Sequence, residues 1–451
     1  MSTARTTLRL GAGAGFAGDR IDPAQDLAEH GKLNYLIFEC LGERTVATGH
    51  ARRLLDSTAG YDPLLEKRMR AVFPHTTASG TTVVTNAGGA NPLAAAELVA
   101  RIAAEVSIGS ARVAAVTGDD VLEQVLRHDP VVWETGRPLS EHSEELVSAN
   151  AYIGAEAVIP ALDLGANVVI TGRLADPSLY LAPLAFEFGW QPTDYATLGA
   201  GTAVGHLLEC AGQLTGGYYA DPVTKPVSNL AFLGFPFADV QADGSAVFGK
   251  LDGSGGTLTT RTCAEQLLYE VGDPAAYLTP DVAADFTGVS FTQVGLNRVA
   301  VDGATGGIRP DELKVTLGFR GGWLGEGQIS YAGPRALQRA ELAGEIVSVR
   351  LREVHGLDAE NIFVEFIGAG AAFRGLDFRS DPHEVRLRVT AQTRSFEAAD
   401  AVGWEVESLY TNGPAAGGGA RRSVTEVLSI RSCLIPRHLV TTNVHLLEGR
   451  S

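Results

Sequence analysis

The feature that most constrains this chain is a repeated unit in its first half, in which an apolar run ends in a glycine turn and passes into an amphipathic stretch. Leu33 to Phe38 reads as a buried strand, followed by a helix through Glu39 to Ala51. Thr81 to Thr85 runs into Asn86-Ala-Gly88-Gly89-Ala-Asn91-Pro92 and then an alanine-rich helix from Leu93 to Glu105. Ala111 to Thr117 ends at Gly118-Asp119-Asp120. Asn150 to Leu164 reads as a helix, and Ala166 to Thr171 is a strand ending at Gly172-Arg173-Leu174-Ala175-Asp176. A further helix is read over Thr202 to Leu214. Strands alternating with helices predict a parallel sheet covered on both faces. The runs lack polar alternation, as strands buried on both faces should.

The C-terminal third changes character. Leu313 to Phe319 alternates with period two, and a helical stretch follows from Pro334 to Val354. Then come Ile362 to Ile367, Val385 to Ala391, a helix over Glu397 to Tyr410, and Thr425 to Cys433. The expected class is therefore α/β: an N-terminal doubly wound, mostly parallel sheet domain over 1–290, then a ferredoxin-like α+β domain of order βαββαβ over 291–451.

The formal net charge of -17, with no Lys/Arg cluster, speaks against a nucleic-acid partner. The four cysteines, Cys40, Cys210, Cys263 and Cys433, are widely spaced, which fits neither a disulfide framework nor a structural zinc site. The stretch Met1 to Thr7 is polar, and no window approaches the ~18 apolar residues of a membrane span, so a cytoplasmic protein without a membrane partner is expected.

Five segments could carry chemistry. Gly13-x-Gly15-x-x-Gly18 has dinucleotide spacing, with Glu39 about twenty residues on. However, Asp19, Arg20, Asp22 and Pro23 follow where a Rossmann helix should begin, so a ligand loop bearing Asp19 and Arg20 is preferred. In the second segment Asn91 suits a helix N-cap and Pro92 the first helical position, and Asn86, Gly88 and Asn91 form a candidate anion site. In the third, Arg173 could clamp a carboxylate or phosphate and Asp176 act as a base, or the two could pair with each other. In the fourth, His206 and Glu209 share a helix face at i, i+3, as an acid/base couple or a structural pair, with Cys210 beside them. The fifth is the glycine-rich run before Arg421 and Arg422, a loop or an anion nest. No metal ligand set is assigned, and the cofactor is left open.

Together these segments resemble the acyclic terpene utilisation (AtuA-like) family. The matching stretches are GAGAGFAGDR (11–20), YDPLLEKRMR (61–70), TNAGGANP (85–92), NAYIGAEAVIPAL (150–162), ANVVITGRLADPSLYLAPLAFEFGW (166–190), GHLLECAGQLTGGYYADP (205–222), EQLLYEVGDPAAYLTPDV (265–282) and TNGPAAGGGARR (411–422). The loop after Gly217 reads Tyr218-Tyr219-Ala220 where members often carry asparagine. The resemblance implies an AtuA-type domain followed by a ferredoxin-like one, and an association with breakdown of citronellol- and geraniol-type compounds through coenzyme A thioesters. It supplies no assigned catalytic residues. The expected function is an enzyme acting on a small carboxylate or acyl-CoA, of hydratase, lyase or hydrolase type. Asp176, His206 and Glu209 are its candidate catalytic residues. Asp19, Arg20, Asn86, Gly88, Asn91, Arg173 and Arg421 are its candidate substrate contacts. The alternatives are an accessory subunit of a pathway complex and an NAD(P)-dependent oxidoreductase. A homo-oligomer is the expected assembly.

Overall fold

The uninterrupted apolar runs lie side by side as parallel strands in a computed structural model that describes residues 6–106, 111–372 and 382–448. Most of the polar stretch Met1 to Thr7 falls outside the described residues. Strands β1 (Thr7–Ala14), β2 (Tyr35–Phe38), β3 (Thr82–Thr85), β4 (Arg112–Thr117) and β5 (Val168–Thr171) pair in parallel in the order β1-β2-β3-β5-β4. On the β1 side the sheet continues antiparallel through β6 (Pro236–Gln241), β7 (Ala246–Lys250), β8 (Ser290–Gly295) and β9 (Arg298–Asp302), in the order β8-β9-β7-β6-β1. The strand Asn443–Glu448 closes the opposite edge, antiparallel to β4.

Helices α1 (Asp22–His30), α3 (Leu65–Ser79) and α4 (Pro92–Glu105) pack side by side, whereas α2 (Glu43–Leu55) packs on the strand Leu146–Ala151. A second group is formed by α5 (Ser178–Phe188), α6 (Tyr195–Glu209) and α7 (Thr260–Leu268). The central strands are consequently buried on both faces: Val83, Val84, Val113 to Val116 and Val168 to Ile170 are all shielded from solvent. That explains their missing alternation.

Residues up to Gly318, together with those from Ile430 onward, form one compact unit, and Phe319–Ser429 form a second. The sequence reading divides the chain at 290/291 and does not anticipate the return of the last strand to the first sheet. The second unit holds β11 (Ile362–Ile367), β12 (Glu384–Thr393) and most of β10 (Glu312–Ala332) and β13 (Gly417–Pro436), in the order β11-β12-β10-β13. Helices α8 (Ala336–Glu353) and α9 (Phe396–Asn412) pack on β12 and on each other. Period two fixes the faces: Val385, Leu387, Val389 and Ala391 are buried, while Arg386 and Arg388 between them form polar contacts.

Local expectations fail in three places. Asn150 to Leu164 is not one helix: Asn150 ends the strand Leu146–Ala151, and a five-residue helix, Ile159–Asp163, follows. Pro160 lacks the N–H that a helix interior needs, so it sits in the first turn of the short helix instead. The helix read over Thr202 to Leu214 starts earlier, at Tyr195, and stops at Glu209. Ala211 then adopts a φ of 41°, which a helix cannot continue through. Finally, the run from Gly417 to Arg422 belongs to β13 rather than to a loop, so no nest forms there.

Candidate functional site

The loops after β1, β2, β3 and β5 leave the same end of the parallel sheet, the edge where ligands bind in open α/β folds. The C-terminus of α6 meets them there. Between them lies a cavity of about 570 Å³. Its lining combines the carboxyls of Asp19, Glu39, Glu43, Asp176 and Glu209 with the apolar and aromatic side chains of Phe16, Tyr218, Leu233, Phe235 and Tyr269. The volume suits a small organic molecule.

Close packing accounts for the dinucleotide-like glycine spacing. Gly11 and Gly13 lie inside β1, and a Cβ on Gly13 would stand 2.7 Å from the Phe38 ring. A Cβ on Gly15 would stand 2.5 Å from the Cys210 backbone. The helix that follows begins only at Asp22, after the loop. The pattern therefore lets β1 approach β2 and the end of α6, and the oxidoreductase reading loses its sequence basis. In the loop, Asp19 accepts hydrogen bonds from the Gly15 N–H at 2.9 Å and the Arg20 N–H at 2.8 Å, and burial raises its pKa. Arg20 lines the cavity and donates to the Leu230 and Ala231 carbonyls at 3.0 and 3.2 Å.

Glu39 follows β2 at the floor of the cavity. Its Oε1 accepts from the Leu41 N–H at 2.8 Å and from Asn86 Nδ2 at 3.0 Å, while Asn86 Oδ1 accepts from the Cys40 N–H at 2.7 Å. Asn86 thus holds Glu39 in place from one layer behind. Burial, reinforced by the nearby Asp176 charge, pushes the Glu39 carboxyl up to about 8. Gly88 and Asn91 serve the scaffold. A Cβ on Gly88 would lie 2.5 Å from the Thr171 carbonyl oxygen. Asn91 caps α4 through the Ala94 N–H and donates to the Ser57 and Ala59 carbonyls at 3.0 and 2.9 Å.

Arg173 and Asp176 pair directly. Arg173 is fully buried beneath the cavity; its guanidinium lies 4.2 Å over the Tyr152 ring, and its Nε and Nη1 have no partner among the described residues. Burial opposes its charge, but Asp176, Tyr152 and Glu39 together outweigh that and hold it cationic. Asp176 leaves 36% of its side chain accessible, and burial raises its pKa against the pull of Arg173. Beside this pair, Glu43 accepts from the Tyr152 hydroxyl at 2.7 Å and Lys314 Nζ at 3.0 Å. Burial works against its ionisation, yet these two donors hold it at about 2.

His206 and Glu209 meet as their spacing allows. Nε2 of His206 lies 3.1 Å from the Leu267 carbonyl, which can only accept, so Nε2 carries a proton. Nδ1 lies 2.7 Å from Glu209 Oε1, and a contact that short requires a second proton between them. Phe286 stacks on the imidazole with centroids 5.7 Å apart, and Tyr277 lies tilted against it at 5.0 Å. Glu209 Oε2 is shielded from solvent and has no partner among the described residues. Burial pushes Glu209 up to about 7, against the pull of His206. Cys210 lines the same wall, and burial with the Glu209 charge raises its thiol, so it is no thiolate at neutral pH.

The sequence-derived residues Asp19, Arg20, Asp176 and Glu209 therefore share one cavity; Asn86, Arg173 and His206 stand directly behind lining residues; Arg421 lies exposed on β13 in the second unit. Glu43, Tyr152 and Lys314 escaped the sequence reading, and Glu39 entered it only as the acid about twenty residues beyond the glycine motif, at the end of an apolar strand. Among the described residues no three His, Cys, Asp or Glu side chains are grouped as metal ligands, and no helix is long and apolar enough to cross a membrane.

These features define an α/β protein with a carboxyl-rich cavity at the carboxyl edge of a largely parallel central sheet. The chain belongs to the acyclic terpene utilisation family AtuA, whose sequence model matches residues 8–446. Membership associates it with acyclic terpene utilisation. No curated protein and no solved structure matches the chain.

Proposed function

We propose that this chain is an acid–base enzyme of hydratase or lyase type, acting on an acyclic, largely apolar substrate presented as a carboxylate or coenzyme A thioester. The observation that carries the reading is the mixed lining of one cavity, where Glu39, Asp176 and Glu209 occur together with Phe16, Leu233 and Phe235. The apolar side chains would take the hydrocarbon chain and the carboxyls the reacting end. Glu39 stays protonated near neutral pH and serves as the acid, delivering its proton to a double-bond carbon or a leaving oxygen. Asp176, paired with Arg173, serves as the base that takes a proton from water or from substrate carbon. Glu209 lines the cavity, and His206 orients its carboxyl. Asp19 and Arg20 hold the polar end of the substrate at the rim. A covalent hydrolase is less well supported, because the thiol of Cys210 is poorly placed to ionise. The strand order β11-β12-β10-β13, with both helices packed on β12, supports reading the second unit as ferredoxin-like. The free cysteines fit action in the cytoplasm.

The test is a thermal-shift panel of acyclic terpenoid acids, alcohols and coenzyme A thioesters. At least one member should raise the melting temperature of the wild type, and the rise should vanish in Gln213→Trp, which fills the cavity. A panel without any shift, or a shift that survives Gln213→Trp, defeats the reading.

A further inference from the structure

A second cavity of about 260 Å³ lies against α2, and nothing above uses it. Arg44, Thr48 and Arg52 line it at four-residue spacing, which puts them on one face of the helix. It shares a partition with the carboxyl-lined cavity: Phe16, Glu39 and Gly42 face the first, while Ala17, Cys40 and Leu41 face the second.

Its electrostatics are opposite in sign. Arg44 has no ion-pair partner among the described residues. Arg52 donates from Nη2 to the Tyr61 carbonyl at 3.0 Å, and its Nε is shielded from solvent without a partner. The one acidic lining residue, Asp62, is neutralised by a buried ion pair with Arg68. Asp62 also feels the charge of Arg52, so the lining carries two arginines against one carboxylate that is already paired with Arg68, an excess of positive charge in a chain of net charge -17. Guanidinium forks match the geometry of phosphate oxygens.

We infer that this cavity binds a phosphate-class oxyanion. On the function proposed above, that oxyanion is the charged tail of a substrate whose reacting end lies across the partition, among Glu39, Asp176 and Glu209.

The experiment is calorimetric titration of the full-length protein with inorganic phosphate, pyrophosphate and coenzyme A. Wild type should bind pyrophosphate, more weakly as salt is raised. Arg44→Gln and Arg52→Gln should each weaken it about tenfold, the loss expected for one charge-assisted hydrogen-bonding group. Arg52 also holds the Tyr61 carbonyl, so Thr48→Glu provides a second probe, adding a carboxylate at an exposed position and removing only the bond from the Thr48 hydroxyl to the Arg44 carbonyl within the helix. Coenzyme A binding more tightly than pyrophosphate, with the same losses, identifies the oxyanion as a substrate tail. Phosphate and pyrophosphate binding alone identifies a free anion. The inference is overturned if wild type binds none of the three, or if binding survives unchanged in the double Arg variant and in Thr48→Glu. Glu39→Gln should bind pyrophosphate normally, so this site and the acid–base reading can fail separately.

Discussion

Two histidine–glutamate pairs, one in each compact unit, have the same contact length and opposite electrostatic character. His206 and Glu209 lie 2.7 Å apart in the first, and His355 and Glu405 lie 2.7 Å apart in the second. Both Glu405 oxygens are engaged, because Arg350 donates to them at 2.6 and 3.1 Å. Burial works against the Glu405 charge, but Arg350 and His355 outweigh it and lower its pKa. Glu209 lines a cavity, with one oxygen held and the other buried without a partner among the described residues, and its pKa is raised. An ion pair that satisfies all its atoms locks a scaffold, whereas one that leaves a buried atom over beside a cavity is a candidate for function.

The largest effect should be kinetic. With whichever substrate the ligand panel selects, Glu39→Gln and Glu209→Gln should each lower kcat by about 10²–10⁴-fold, the range for losing a general acid or base. Glu405→Gln should leave kcat unchanged. Steady-state kinetics on the three variants decides it, and equal behaviour of Glu209→Gln and Glu405→Gln would erase the contrast.

The next effect is on stability and depends on pH. Glu39 has a folded pKa of about 8, above the ordinary glutamate value, so the native state prefers it protonated. As pH rises past the unfolded value, the unfolded chain releases the proton first, and stability falls until the folded carboxyl also ionises. Glu39→Gln keeps the acceptor for Leu41 and Asn86 and removes this penalty. Urea unfolding should show the variant gaining about 2–4 kcal/mol relative to wild type between pH 5 and pH 8. A gain independent of pH would mean that Glu39 is ionised in the native state.

Much of this is written in local sequence. The glycine turns and unbroken apolar runs mark the parallel strands, and i, i+3 spacing announces both Arg173–Asp176 and His206–Glu209. What stays hidden depends on tertiary contact. Lys314 reaches Glu43 across a separation of 271 residues, and no local pattern reports that. Tyr152 was concealed because its segment was read as helix, although Pro160 argued against so long a one. The strands β6 to β9 lie in a stretch rich in Gly and Pro, where pairing with β1 decides what local propensity leaves open. Arg52 looks like a solvated helix residue until Tyr61, in the loop across from it, takes its guanidinium in a hydrogen bond.

The two histidines should differ more modestly. His206→Gln loses either the Leu267 contact or the Glu209 contact in a dry environment, and should cost about 2 kcal/mol by urea unfolding at pH 7. His355→Gln should cost about 0.5 kcal/mol, since its side chain is partly exposed and Arg350 still holds Glu405. Equal costs would place both pairs in the scaffold.

The smallest effect has the opposite pH sign to that of Glu39. The folded pKa of Glu405 is depressed, so its contribution is present above the unfolded value and lost as pH falls through the folded one. Arg350 is 47% exposed, and solvent screens the pair. Glu405→Gln should therefore destabilise by only about 0.5–1 kcal/mol at pH 7, and by less as the pH is lowered toward 3. Urea melts at both values test this. A variant that gained stability on going from pH 3 to pH 7 relative to wild type would put Glu405 in the same class as Glu39, and orphaned oxygens would then no longer separate the site from the scaffold.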